Sequence, residues 1–490
     1  MLRDAEQTYH DQLRRRRRRL WWGSALGAVA IVLATAWCLG GERALQVLAG
    51  EVDLFGQPRY RADQPPNLEA VDLERVHAEL FPEWVIQASR PPGRSDRAEQ
   101  ALDALRTEVE PDDNLTALVD EMALLVGEDP AEHAHRLLYL CWAWSEYLDD
   151  QGRPWRLVGA VRVGSDTSYF YTKSYQVLSD GLARVGGVDH RVRLVTRADH
   201  TNVVEAYLGA VEERTEGALV VVDRVVDLAV DEVWPLMSPA AEGELDPVPR
   251  AFAEPVRAEV SAALSAPDVE VLRETAEDRA RLVATVEAIR ARRDCGSRFV
   301  IPFMPWEGIE PEDEGSWFGY ADRSEGSSCP MLTREEATVV VEVSRRLREA
   351  EGLEDALEAL VAQVSRAVAI HELRHVADGD HTPCPGCPDG AHPAVVPELS
   401  AYAASFAAPG IGVTALFQGC LADRTTGGSH ALALELILAR LLDDGCQGGP
   451  PPDLYERASA LEEQLFARSE PTTLPADYPA ALPLRSLGRE

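Results

Sequence analysis

A long apolar stripe in the second half of the chain ends in two histidines. Its members recur at steps of three or four residues and are Leu353, Leu357, Leu360, Val364 and Val368. This spacing predicts the buried face of an amphipathic helix that begins near Gly352. The same steps continue to His371 and His375, so both imidazoles lie on the buried face, one turn apart. At that spacing the two rings can bind one ion.

The two histidines belong to the segment HELRH, which has the His-Glu-x-x-His pattern of hydrolytic zinc sites. Glu372 is rotated by about 100° from His371 around the helix, so its carboxylate can reach a water on the ion instead of the ion itself. Zinc lowers the pKa of such a water toward neutrality, and a nearby carboxylate can take its proton. The pattern therefore predicts a hydrolytic metal site, with a pair of structural core histidines as the alternative.

Two residues are candidates for the third ligand. His381 has the spacing of the metzincins, but Asp378 stands where that family has glycine, and no methionine follows Met331. Glu398 lies in the segment PELSAY, which predicts a second helix with Pro397 in its first turn. Small alanines around this segment would let two helices approach closely. We favour Glu398 over His381.

The segment HELRH followed by ELSAY resembles the gluzincins, the thermolysin-like zinc metallopeptidases. The resemblance is limited to roughly residues 350–410. It implies that His371, His375 and Glu398 bind Zn²⁺ and that Glu372 is the general base. The substrate that it implies is a peptide or a protein.

A gluzincin-like site also needs a hydrogen-bond donor for the oxyanion that develops at the carbonyl. Tyr402 and His430 are the candidates for this catalytic role, and a structural role is the alternative for each. Asp378 follows the second histidine by one turn, so it could hold an imidazole N–H or form a solvated helix end. We expect Arg374 to make a surface salt bridge.

The N-terminal segment predicts where the protein is located. Six consecutive arginines, residues 14–19, precede the uncharged apolar run 20–41, which is long enough to cross a hydrocarbon core of roughly 30 Å. The cations should stay in the cytoplasm, so we expect a single-pass inner-membrane protein whose bulk is periplasmic or extracellular. A signal peptide cleaved near Ala36 and a lipid anchor at Cys38 are alternatives that also export the chain.

The length and the composition limit the fold class and the partners. The net charge of -34 repels phosphate backbones and argues against nucleic acid as a partner, and 490 residues predict two or three domains. Short β-prone runs between Trp155 and about Trp234 predict a small sheet of antiparallel strands. The predicted fold class is α+β.

The predicted segments are a cytoplasmic basic segment (1–19), a transmembrane helix as anchor (20–41), a linker (42–66), a mixed α/β exported domain (67–292), a mostly helical zincin-like metallopeptidase domain (293–470) and a tail (471–490).

In an oxidising compartment paired cysteines tend to form disulfides. By proximity the predicted disulfides are Cys295–Cys329, Cys384–Cys387 and Cys420–Cys446, which leaves Cys141 as a buried free thiol.

The first hypothesis for the function is a membrane-anchored zinc peptidase that hydrolyses peptide bonds outside the cytoplasm. The alternative is a non-catalytic, envelope-tethered interaction protein whose zincin-like domain is structural. The presence of Glu372 favours the enzyme, because a site without activity has no need of that carboxylate.

Overall fold

The computed structural model of the chain describes most residues between Gln64 and Leu484. The described residues are 64–88, 96–128, 130–163, 168–199, 208–212, 217–240, 245–292, 305–327, 329–379, 382–387, 392–422, 428–468, 470–475 and 477–484. The predicted membrane anchor at residues 20–41, the predicted disulfide partner Cys295 and the alternative ligand His381 lie outside them.

The predicted fold class needs a correction. In the described part of the chain, no helix is both long enough and apolar enough to cross a membrane. The fold class that the described residues support is therefore a mixture of helices and one sheet, and they give no support to the transmembrane helix that was predicted.

The first compact unit, Met1–Ser174, has an apolar core formed mainly by helices. Its α-helices are α1 (Leu73–Arg75), α2 (Phe81–Ala88), α3 (Asp96–Val109), α4 (Asp113–Val126) and α5 (Ala134–Asp150), with a 3-10 turn at Leu68–Ala70 and a π-helical turn at Val76–Leu80. Asp112 caps α4, because its side chain accepts a hydrogen bond from the Leu115 N–H. The Tyr147 hydroxyl on α5 donates a 2.6 Å hydrogen bond to the same carboxylate, which ties the two helices together.

Burial disfavours the protonated form of one histidine in this unit. The Trp144 indole N–H donates a 3.1 Å hydrogen bond to Nε2 of His77, and the Trp155 ring stacks on the imidazole with 5.0 Å between ring centroids. Burial lowers the pKa of His77 from 6.5 to about 3. Below pH 6.5 the unfolded chain therefore binds a proton that the folded chain does not.

We expect the free energy of unfolding to fall as the pH is lowered from 6.5 toward 3, by at most about 1.4 kcal/mol per pH unit from this group. Urea unfolding of the protein at several pH values in that window measures the slope. The His77→Gln variant cannot take up the proton, so its free energy of unfolding should lack this part of the pH dependence. His133→Gln, which alters a more exposed histidine of the same unit, should keep it, and equal slopes in wild type and His77→Gln would contradict the assignment.

The strands form one five-stranded sheet in the order β1-β2-β3-β5-β4. They are β1 (Trp155–Val163), β2 (Ser168–Val185), β3 (Val188–Arg197), β4 (Gly209–Glu212) and β5 (Gly217–Val221). β2 and β3 form an antiparallel hairpin, whose turn at Gly186 and Gly187 has positive φ at both residues, as tight hairpin turns require. β4 is antiparallel to β5, but β3 and β5 are parallel, so the predicted antiparallel pairing is wrong for that pair.

The second compact unit, Tyr175–Glu490, combines part of this sheet with a large set of helices. The helices are α6 (Val222–Leu228), α7 (Pro247–Ala263), α8 (Ala266–Ala291), α9 (Glu314–Ser324), α10 (Arg334–Glu349), α11 (Leu353–Asp378), α12 (Val395–Phe406), α13 (Gly412–Leu421), α14 (Ser429–Leu441) and α15 (Leu454–Phe466), with shorter turns at Ala229–Val233, Trp234–Met237, Pro311–Asp313 and Cys446–Gly448. Strands β3, β4 and β5 pack against α11. The chain thus divides near residue 174 and not at the predicted boundary 292–293, because α11 needs the sheet as part of its core.

Helix α11 lies at the centre of the second unit. It begins after Gly352, whose φ is 77°, and ends before Gly379, whose φ is 60°, and glycine adopts such angles without a steric penalty. The predicted apolar stripe is buried, but residues on its other sides, such as Val361 and Ala369, are equally buried. α11 is therefore enclosed on most sides and is not the amphipathic helix that the stripe predicts.

Part of the predicted tail belongs to the core. Residues 470–475 and 477–484, here called the C-terminal strap, include Tyr478 and Leu482, which are both buried. The Tyr478 hydroxyl lies 2.7 Å from the Ser365 hydroxyl on α11, and the Leu482 N–H donates a 3.0 Å hydrogen bond to a carbonyl of the same helix. The strap therefore covers one side of α11.

The described cysteines follow the predicted pairing. Disulfides join Cys384 to Cys387 and Cys420 to Cys446, and Cys141 is free and buried. These three predictions are confirmed. Cys329 is disulfide-bonded as well.

Candidate metal centre

Three helices of the second unit bring the predicted site residues together. The residues are His371, Glu372 and His375 on α11, Glu398 and Tyr402 on α12, and His430 in the first turn of α14. α12 packs against both α11 and α14. Small buried residues on α12, Ala401 and Ala404 among them, leave room for its neighbours to approach closely.

Three of these side chains have the mutual spacing of zinc ligands. The Nε2 atoms of His371 and His375 are 3.2 Å apart, and they lie 3.5 Å and 3.3 Å from Oε2 of Glu398. A tetrahedral ion with ligand bonds of about 2.0–2.1 Å separates its donor atoms by about 3.3–3.4 Å. The three donor atoms therefore fit three corners of a tetrahedron around one Zn²⁺.

The protonation states of Glu398 and His371 also suit a cation. Oε2 of Glu398 is buried and has no hydrogen bond of normal geometry within the described residues, although three imidazole nitrogens lie within 3.5 Å of it. Burial alone would raise the pKa of Glu398, but the imidazoles of His371, His375 and His430 lower it well below its usual range. Burial is also the main cause that lowers the pKa of His371 to about 4, so its ring is neutral at pH 7. A carboxylate beside a neutral imidazole is a donor set for a metal ion.

Glu372 occupies a tight pocket beside the donors. Its residue is 8% exposed, and burial, aided by the charge of Glu398, raises its pKa to about 7. Strand β4 forms one wall of this pocket: a Cβ atom on Gly209 would lie 2.5 Å from Cγ and 2.7 Å from Oε1 of Glu372. The glycine therefore allows the strand to approach the carboxylate, whose proton affinity suits a base that works near neutral pH.

The two predicted oxyanion donors are neighbours. The Tyr402 hydroxyl lies 3.3 Å from Nδ1 of His430, and the Tyr402 ring meets the His371 ring edge-on with 4.6 Å between centroids. Nδ1 of His430 is also 2.9 Å from Oε2 of Glu398. His430 thus contacts the carboxylate of the candidate ligand Glu398 directly, which its predicted role did not require.

Asp378 has a different role from the predicted one. It accepts hydrogen bonds from Arg374 at 2.5 Å, from Ser400 at 2.6 Å and from Arg468 at 2.7 Å, and no imidazole of the described residues donates to it. The side chain of Arg374 is 11% exposed and that of Asp378 4% exposed, so this salt bridge is largely buried, contrary to the surface position predicted for Arg374. Arg468 also donates a 2.7 Å hydrogen bond to Ser400. We call Arg374, Asp378, Ser400 and Arg468 the buried clamp.

The buried clamp connects the two helices that carry the ligands. Asp378 ends α11 shortly after His375, and Ser400 follows Glu398 on α12. Arg468, just beyond α15, bridges the two. The clamp was missed at the sequence level, because no local pattern links Arg468 to Asp378, which is 90 positions away.

The chain matches none of the protein-family models, curated proteins or solved structures with which it was compared. What the site can do is therefore inferred from its donor set. Two imidazoles and a carboxylate converge on one point, and a buried second carboxylate stands beside them. That combination can hold a divalent ion and can move a proton next to it.

Proposed function

We propose that the protein is a zinc-dependent peptidase. In this proposal His371, His375 and Glu398 hold Zn²⁺, and Glu372 is the general base. The observation that carries the proposal is the near-tetrahedral spacing of the three donor atoms, 3.2–3.5 Å apart, with a buried carboxylate beside them.

A zinc ion in this position would polarise the substrate carbonyl and lower the pKa of a neighbouring water. Glu372 would take the proton of the attacking water and later give it to the leaving amine. The Tyr402 hydroxyl can donate a hydrogen bond to the oxyanion that forms at the carbonyl, because its ring packs directly on the His371 ligand.

Strand β4 supports a peptide as the substrate. Among the described strands it lies at one edge of the sheet, and Gly209 at its start contacts Glu372. An extended peptide that pairs with an edge strand gains backbone hydrogen bonds regardless of its sequence. A peptide added beside β4 would pass close to the general base.

The compartment in this proposal lies outside the cytoplasm. Cys384–Cys387 and Cys420–Cys446 support it, because disulfides persist in oxidising compartments.

The proposal is tested by zinc content and proteolysis. We expect the purified protein to bind about one equivalent of zinc, to cleave casein or a peptide library, to lose that activity with a chelator and to regain it with added zinc. His371→Ala should abolish both zinc binding and cleavage. His392→Ala, which removes an exposed histidine of the same unit, should change neither. Cleavage that survives complete removal of zinc, or a protein that binds no zinc, would refute the proposal.

The contact between β4 and Glu372 gives a separate prediction. In Gly209→Ala the new Cβ must displace the Glu372 side chain, and a misplacement of about 1 Å can slow catalysis about 100-fold. We expect kcat to fall by about 10–100-fold while zinc binding stays unchanged. In Gly181→Ala, a matched control in β2, the new Cβ would meet Pro475 at an ordinary 3.6 Å, so kcat should be that of the wild type. Loss of zinc from Gly209→Ala would show that β4 supports the ligands and not the base.

A further inference from the structure

We propose that His430 is a fourth protein ligand that closes the zinc site at rest; this inference deepens the proposed function and rests on it. Nδ1 of His430 lies 2.9 Å from Oε2 of Glu398, the same oxygen that faces both histidines of α11. Donor atoms of His371, Glu398 and His430 all lie within 4.8 Å of one another, and this group of possible metal ligands does not include His375. An imidazole in this place can take the fourth position around the ion.

Four protein ligands leave no open position on a tetrahedral zinc ion. Closed sites of this kind are structural, whereas catalytic sites keep one position for water or substrate. With His430 bound, the site would store zinc without hydrolysing peptides. The resting protein is therefore latent, and departure of His430 opens the position that catalysis needs.

The exposure of the ligands indicates which one can leave. The His430 side chain is 50% exposed, whereas those of His371, His375 and Glu398 are 12–15% exposed. His430 lies in the first turn of α14, where a change of its side-chain rotamer need not disturb the buried residues of that helix. It can therefore exchange the metal for solvent while the other three ligands stay fixed.

The same movement changes the surroundings of Tyr402. In the closed arrangement the Tyr402 hydroxyl lies 3.3 Å from Nδ1 of His430. When His430 leaves, this hydroxyl is free to donate to a substrate carbonyl. One side-chain movement thus opens the metal and releases the oxyanion donor, so an extended substrate that displaces His430 would activate the site it enters.

Cobalt spectroscopy tests whether residue 430 binds the metal. In His430→Cys loaded with Co²⁺, a thiolate ligand adds a sulfur-to-cobalt charge-transfer absorption in the near ultraviolet that the wild-type protein lacks. Ser429→Cys places the thiol one residue away and should show no such band. We expect the band in His430→Cys alone; its absence there, in a folded variant that binds cobalt, would overturn the inference.

Kinetics separate a closing ligand from an oxyanion donor. In His430→Ala we expect the zinc dissociation constant to rise by at least about tenfold, while turnover per bound zinc increases. A residue that only stabilised the oxyanion would instead lower turnover by about 10²–10³-fold and leave zinc affinity unchanged, which would overturn the inference. If the charge-transfer band is present but no variant cleaves a peptide, the fourth ligand stands and the proposed peptidase function fails. If the wild-type protein cleaves peptides and the band is absent, the proposed peptidase function stands and the proposal of a fourth ligand fails.

Discussion

The Glu372→Gln variant should bind zinc as well as the wild-type protein and lose nearly all peptide cleavage. The amide has the shape of the carboxylate, so it fits the same buried pocket against Gly209, and residue 372 is not among the proposed ligands. It cannot take a proton from water, however, and the loss of a general base typically costs 10²–10⁴-fold in rate. We expect kcat to fall by about 10³-fold, measured with a fluorogenic peptide at saturating concentration.

Glu463→Gln is the matched control for this variant. It makes the same chemical change at an exposed position of α15, so both its zinc content and its kcat should be those of the wild type. Zinc content has to be measured for each preparation, since loss of the metal would also lower the rate. Full zinc occupancy with undiminished cleavage in Glu372→Gln would exclude Glu372 as the base.

The Arg468→Met variant should be strongly destabilised, although Arg468 touches no ligand. Its guanidinium donates to both carboxylate oxygens of Asp378 and to Ser400, and the Asp378 side chain is 4% exposed. Removing one partner of a buried charge pair leaves the other charge poorly compensated in a medium of low polarity. We expect the free energy of unfolding to fall by about 3 kcal/mol, measured by urea titration.

Zinc affinity is the second measurement on Arg468→Met. Because the buried clamp holds α11 and α12 in register, its loss should weaken zinc binding by about 10–100-fold, as for other groups that orient ligands. Arg457→Met on α15 is the control: its partners Asp443 and Asp453 are 77% and 55% exposed, so neither stability nor zinc affinity should change much. If the two variants behave alike, the clamp has no special role.

The ligand helix is the part of the site that local sequence predicts best. Its apolar stripe has the helical period, and continuing that period puts His371 and His375 on one side of α11, next to each other in the structure. Glu398 is suggested by the resemblance of ELSAY to a second ligand helix and lies 3.3 Å from His375. Both depend on contacts within a helix or between two successive helices, which short segments can encode.

Contacts between distant segments are what the sequence could not provide. Helix α14 buries residues such as Leu434, Ile437 and Leu438, but nothing in its sequence says that its first turn stands beside Glu398. The residues of β5 are all buried, so they lack the alternation that marks one face of a strand, and nothing local shows that β5 pairs in parallel with β3 and packs on α11. The boundary near residue 174 follows from that packing.

The C-terminal strap is synthesised after the residues of the candidate metal centre that it supports. The hydroxyl of Ser365 on α11 meets that of Tyr478, which is 113 positions later in the chain. Every proposed zinc ligand thus precedes the strap in the chain, and until the strap has been synthesised the helix that bears two of them lacks one side of its hydrophobic shell. If these residues bind zinc as proposed, they are synthesised before part of their scaffold, and a growing chain would pass through a stage in which it can capture zinc without yet holding a substrate in place.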